Sequence, residues 1–163
     1  MCFIGQIGVN QESEDNMEFS NDFNTIFGEN IMLKIIDKNQ GNKEELPYYY
    51  YDIYLADGVT QIGKISIRIG HNYHSYFNGN VGYEIDKEFR GNNFAYEATK
   101  IVVDVAKHHQ MTYLILTCEE SNIASYKSIE KLGAKLIETK IPPKDYIFYN
   151  KQMKAHRIYR LSI

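Results

Sequence analysis

The sequence predicts a mixed α/β fold (α+β in its element order), with a mostly antiparallel central sheet flanked by helices. Three observations predict it. Between residues 31 and 86, apolar residues recur at alternate positions in runs separated by turn signals, the period of half-buried strands. From Phe94 the period becomes helical, with Phe94, Ala95, Ala98, Ile101, Val102 and Val105 on one stripe. Thr112 to Cys118 is then a continuous apolar run, as in a central strand covered on both faces. Strands, then helix, strand, helix and further strands build a sheet with helices on its faces.

Residues 1–30 read as a polar N-terminal arm, docked through Met17, Phe19, Phe23 and Phe27, ahead of a single domain over 31–163. Ile31 to Ile36 is the first strand, and Asp37 to Glu45 is polar, with a turn at Asn39-Gln40-Gly41-Asn42. Pro47 opens a strand over Tyr48–Leu55, with Tyr49, Tyr51, Ile53 and Leu55 on one face. Asp57-Gly58 is a hairpin turn into a strand over 60–69, where Ile65, Ile67 and Ile69 oppose Lys64, Ser66 and Arg68. A loop from Gly70 ends at Asn78-Gly79, before a strand over Val81–Asp86.

The long helix spans about 94–109. Glu97 in its first turn and Lys107, His108 and His109 in its last suit the helix dipole. Ser121-Asn122 caps a second helix ending near Leu132, with Gly133 just beyond its end. Ala134–Thr139 is a strand, Pro142-Pro143 a break, 144–154 an irregular or short helical insertion, and Arg157–Ile163 the last strand. The strand before Arg90 and the strand ending at Cys118 are the expected parallel neighbours, joined by the long helix in a right-handed crossover. A ligand then belongs at their carboxyl ends.

At 163 residues with a net charge of -3, the chain is sized for one domain and gives no electrostatic reason to expect nucleic acid or an anionic membrane as partner. Cys2 and Cys118 form no disulfide framework and fit a reducing cytoplasm. The start of the chain lacks a basic segment followed by a long apolar run, so no signal peptide is expected. No apolar run approaches the ~20 residues of a membrane span. Walker, dinucleotide-binding and nucleophile-elbow motifs are absent from the sequence.

The stretch with the most chemistry is Ile85-Asp86-Lys87-Glu88-Phe89-Arg90-Gly91-Asn92-Asn93-Phe94-Ala95. A strand leads in and a helix leads out. Glycine and asparagine between them tolerate left-handed backbone. Strand, tight loop and helix N-terminus together offer free amides and a favourable dipole to an anion.

Three pieces occur in order: Val81-Gly82-Tyr83-Glu84-Ile85 with Arg90 to Ala95, the apolar strand Tyr113 to Thr117, and Asn122-Ile123-Ala124-Ser125 leading to Glu130-Lys131-Leu132-Gly133-Ala134. Together they resemble the GNAT superfamily of acetyl-CoA-dependent N-acetyltransferases, and within it the branch that includes the ribosomal-protein N-terminal acetyltransferases. Arg90, Asn93 and Ala95 occupy defined positions of the family's Arg/Gln-x-x-Gly-x-Gly/Ala loop.

The resemblance implies the GNAT fold, with acetyl-CoA as co-substrate wedged where one parallel strand pair splays. The pyrophosphate would sit on the amides of Arg90, Gly91, Asn92, Asn93, Phe94 and Ala95. The pantetheine arm would lie along Tyr83 to Ile85, and Asn122 and Ser125 would bond the cofactor. Two positions depart from the family. Asn93 stands where glycine is usual, and Ile129 stands where a tyrosine acid is frequent, seven residues after Asn122. Tyr126, nearly one turn back, is the substitute candidate acid.

Acetyl transfer to an amine needs a base for the amine proton and a donor to the polarised carbonyl. Glu84 is the candidate base, set against a plain solvated strand residue; an amide near Ile85 is the candidate carbonyl donor. Tyr83 is a core or pantetheine-packing residue. His71 and His74 lack a third ligand, so no metal is expected; the alternative is that they line an acceptor pocket. Cys118 reads as a small buried residue.

The function expected is transfer of acetyl to a primary amine of a small molecule or peptide, in a ternary complex. The alternative is a GNAT fold that holds CoA without catalysis. The short 37–45 segment leaves an acceptor groove that is open, or is completed by residues 144–154 or by a second copy in a homodimer.

Overall fold

The computed structural model describes residues 16–163. Cys2 and the first half of the expected arm lie outside them. Strands β1 (Thr25–Phe27), β2 (Ile31–Asn39), β3 (Tyr48–Leu55), β4 (Gln61–Arg68) and β5 (Val81–Ile85) form one antiparallel sheet in that order. A one-turn helix α1 (Ser75–Asn78) precedes β5, and α2 (Phe94–His108) follows it. Strand β6 (Tyr113–Glu119), helix α3 (Ile123–Lys131) and strands β7 (Lys135–Lys140) and β8 (His156–Ser162) complete the chain. The second sheet is ordered β6-β8-β7, also antiparallel.

The alternation read from the sequence is the alternation seen. Tyr49, Tyr51, Ile53, Ile65 and Ile67 are completely buried, and Ala98, Val102 and Val105 of α2 pack against them. Each such side chain contributes roughly 1.5–3 kcal/mol by leaving water. Strand β2 runs on to Asn39, beyond the expected end at Ile36. After a register shift past Ile35, Asp37, Lys38 and Asn39 still pair with Tyr50, Tyr49 and Tyr48. Ladder bonds to a well-anchored neighbour outweigh the turn preference of a polar segment.

The sheet also begins before residue 31. Met17, Phe19 and Phe23 pack on the core, and β1 pairs with β2. Phe27 does not dock: it is 77% exposed. The Tyr49 hydroxyl accepts a bond from the Ser20 amide and sits 2.9 Å from His109 Nε2, tying this segment to the end of α2. Residues 144–154 are turns rather than helix, and Tyr146 buries itself with Phe77, Ile115 and Ile158 in a second small core.

One residue hydrogen-bonds the two sheets together. Asn80 is completely buried. Its amide donates to the Ile115 carbonyl at 2.7 Å, and its side-chain oxygen accepts from the Ile115 amide at 2.8 Å. Its Nδ2 donates to the carbonyls of Arg68 and Gly70. Beyond this weld, β5 and β6 share no ladder. Val81 and Tyr83 still face Leu116 and Thr117 across a small hole, and both strands end at one cleft, so they run in the same direction and splay. This is the parallel pair expected from the sequence, held at its base by one main-chain and one side-chain bond between Asn80 and Ile115 instead of by a ladder.

Candidate active site

The cleft between the splayed strands has a volume of about 490 Å³. Its walls are the end of β5, the loop into α2 and the first turns of α3. Asn93 is left-handed at φ 62°, ψ 16°, and Gly91 has φ 84°. These two residues turn the chain so that α2 begins facing the cleft. Asn93 makes no side-chain capping bond, so no side chain of the N-cap occupies the amides of the first turn. A Cβ placed on Gly91 would meet nothing within 4 Å, so the loop stands clear of neighbouring atoms on that side. Open space, uncapped amides and a helix N-terminus fit an anion such as a pyrophosphate.

The other loop side chains brace it. Arg90 Nε donates to the Ile85 carbonyl at 2.9 Å, and Asn92 Nδ2 donates to the Phe89 carbonyl at 3.0 Å. The Asn93 side-chain oxygen accepts from Lys131 Nζ at 3.3 Å, and that ammonium also lies 4.3 Å from the Tyr96 ring centre. Lys131 thus joins α3 to α2 and adds positive charge at the loop. Sequence reading saw it only as part of a helix end, because its partner is 38 residues away.

Strand β5 is the last of its sheet, so one of its edges is unpaired. The Asp86 amide donates across to Ile62, so the amides of Ile85 and Tyr83, one and three residues back, point to the free edge. Tyr83, Glu84 and Ile85 all line the cleft. An extended amide-bearing chain laid there would meet unpaired backbone groups, as an added strand does.

Tyr83 reaches across the splay. Its hydroxyl is 3.0 Å from Ser125 Oγ on α3. Burial raises its pKa, against the opposing effect of the Ser125 bond, so it is held protonated. Asn122 caps α3 by accepting from the Ser125 amide at 3.2 Å, and it also lines the cleft. Tyr126 does not line it. Its ring lies beneath the Arg157 guanidinium, 4.0 Å from the ring centre. Ile129, where the family often has tyrosine, is 4% exposed and packs in the core. Cys118 is buried, and burial pushes its thiol up to about 11, which leaves it a poor nucleophile.

A second pocket, of about 430 Å³, lies on the outer face of β3, β4 and β5. Tyr48, Tyr50, Lys64, Ser66 and Arg68 form much of its wall, and Tyr83 and Glu84 belong to both cavities. Glu84 is exposed and sits opposite Lys64 in the ladder. The two histidines of the 70–80 loop do other work: His71 stacks on Tyr113, and His74 Nδ1 accepts from the Ile147 amide. Neither lines this second pocket. Among the described residues no helix is long and apolar enough to cross a membrane.

Known proteins share this architecture. The model of the acetyltransferase (GNAT) domain matches residues 29–135. The uncharacterized N-acetyltransferase YnaD of Bacillus subtilis (strain 168) is 26% identical over 110 residues, 66% of this chain and 60% of that protein. The chain therefore spans 60% of the length of this curated relative. The ribosomal-protein-S5-alanine acetyltransferase of Vibrio fischeri superposes with a TM-score of 0.62 at 14% identity, covering 85% of this chain and 96% of that one. The microcin C7 self-immunity acetyltransferase MccE, solved with acetyl-CoA and AMP, superposes at 0.55 with 15% identity over 71% and 61% of the two chains. At these identities the superpositions show a common fold. The domain match covers well over half of the sequence, and the chain belongs to the GNAT acetyltransferase family.

Proposed function

We propose that the chain moves an acetyl group from acetyl-CoA to a primary amine by direct attack in a ternary complex. One observation carries this reading: the loop-lined cleft and the second pocket meet at Tyr83 and Glu84. A donor in the first and an acceptor in the second would bring their reactive ends to those residues, which is the proximity that direct transfer needs.

In this reading the amides of Gly91 to Ala95 hold the pyrophosphate, with positive charge from Arg90 and Lys131. The free edge of β5 takes the pantetheine arm through Tyr83 and Ile85. The Ile85 amide polarises the acyl carbonyl. Glu84 accepts the proton of the attacking amine, directly or through one water. Tyr83, rather than Tyr126, supplies the proton that the departing sulfur needs. Its hydroxyl is half of the pair with Ser125 across the splay, and burial keeps its proton in place.

The test is an amine panel (small amines, amino sugars and peptides with free N-termini) with acetyl-CoA and detection of released thiol. Release that depends on both substrates is expected. Binding of acetyl-CoA with no turnover across the panel favours the non-catalytic CoA-binding fold instead. An active enzyme is expected in the cytoplasm, where acetyl-CoA is available, as a monomer or homodimer.

A further inference from the structure

The second pocket has two chemically different ends. At one end, Tyr83 and Glu84 are shared with the donor cleft. At the other, Glu45, Leu46 and Arg68 are shared with a small hollow that contains Asn72 and His74. Arg68 projects from β4 on the same face as Lys64 and Ser66. Its backbone bonds Asn80, and its Nη1 donates one long bond, 3.3 Å, to the Gly79 carbonyl. No carboxylate pairs with it among the described residues, although Glu45 lines the same end of the pocket. Burial holds its pKa below the ordinary arginine value, partly offset by Tyr146, Glu45 and Tyr48. Gly82, across the ladder from Ser66, leaves room beside the guanidinium: a Cβ there would lie 3.8 Å from Nη1 and 3.3 Å from Ser66 Oγ.

A guanidinium offers five donors in a planar fork matched to carboxylate or phosphate. Here one donor has a side-chain bond within the protein, and the residue lines the cavity. A largely buried cation in that position is best satisfied by an anion from the ligand. We propose that the acceptor is a bifunctional amine: its nitrogen lies at Glu84, and an anionic oxyacid group remote from that nitrogen is held by Arg68. This deepens the proposed acetyl transfer and rests on it. Arg68 Nη1 lies 3.8 Å from where a Cβ on Gly82 would be, and Gly82 is two positions from Glu84 on the same strand, which sets the two ends roughly 7 Å apart along the backbone. An ω-amino acid, an acidic peptide or a phosphorylated amine carries its anion at such a distance from its nitrogen. Tyr48 and Tyr50 would flank the connecting atoms.

The experiment uses matched pairs: 6-aminohexanoate against hexylamine, and glucosamine 6-phosphate against glucosamine. Thermal stabilisation and kcat/KM are measured for the wild-type chain, Arg68→Gln and Arg68→Lys, with acetyl-CoA titrated in parallel into each. The wild type is expected to prefer the anionic member of at least one pair by tenfold or more, mainly through KM. The pair that shows it identifies carboxylate or phosphate as the anion. Arg68→Gln should reduce the preference to within about twofold, and Arg68→Lys should retain part of it. Equal response to both members of both pairs while acetyl-CoA still stabilises the protein overturns the proposal and leaves the acetyl-transfer reading intact. A preference that survives in Arg68→Gln also overturns it. Failure of acetyl-CoA to stabilise the wild type removes the reading underneath.

Discussion

The loop-lined cleft and the second pocket share Tyr83 and Glu84 but are built by different means. The cleft is made mainly of backbone. Left-handed residues at Gly91 and Asn93, the uncapped start of α2 and the free edge of β5 give it its donors. The second pocket is made of side chains from three strands, Tyr48 and Tyr50 on β3, Lys64 and Arg68 on β4, and Glu84 on β5. Backbone sites tolerate sequence change as long as the conformation survives. Side-chain sites change specificity with each substitution.

The largest expected effect breaks the frame that both cavities depend on. Asn80→Ala strips partners from the part-buried carbonyls of Arg68 and Gly70 and from the buried Ile115 amide. Leaving buried groups unpaired at roughly 1–3 kcal/mol each predicts a loss of about 3–5 kcal/mol in a denaturant titration. A loss under 1 kcal/mol would show that the sheets are joined elsewhere.

Next comes one of the two residues common to both cavities. Glu84→Gln keeps the shape and removes the base, so kcat should fall by about a hundredfold or more while acetyl-CoA affinity stays within about twofold. A change in affinity without a change in kcat would make Glu84 a binding residue only.

The backbone character of the cleft is tested at Asn93. Glycine adopts φ 62° freely, so Asn93→Gly should match or tighten acetyl-CoA binding. A β-branched residue in that conformation costs roughly 1–2 kcal/mol, so Asn93→Val should weaken it about tenfold. Equal affinities for the two variants would mean that the loop's conformation does not set binding.

The smallest effect lies far from both cavities. Burial, with a contribution from His108, holds the His109 pKa below its ordinary value, where the neutral ring can accept from Tyr49. The unfolded chain then binds the proton more readily than the folded one. Stability is full above about pH 6.5 and declines as pH falls through the lower folded value. His109→Gln should flatten part of that slope in melting curves between about pH 7 and pH 5. An unchanged slope would assign the pH dependence to other groups.

The same contrast explains what the sequence made legible. Local conformations leave local marks. Gly91-Asn92-Asn93 before a helical stripe, and Asn122 three residues before Ser125, were readable and sit where expected. The strand faces were readable because Tyr49, Tyr51 and Ile53 alternate. Pairings between distant segments leave no such mark. Asn80 follows Asn78-Gly79 and reads as one more turn residue, yet it joins the two sheets. Nothing local to 156–162 says that β8 inserts between β6 and β7. Tyr126 and Ser125 are neighbours in sequence, but only Ser125 faces the cleft, because helix rotation separates adjacent side chains by about a quarter turn or more. The setting of Arg68 was likewise invisible: its face of β4 was readable, and the cavity that it lines was not.

Binding of acetyl-CoA in the cleft at Tyr83–Ala95 can be read from melting of the purified protein with and without acetyl-CoA. At a hundredfold excess over Kd, a ligand specific for the folded state stabilises it by about 2.7 kcal/mol, so a clear rise in Tm is predicted, reduced in Asn93→Val at the same concentration. No rise at saturating acetyl-CoA would mean that the cleft does not hold it.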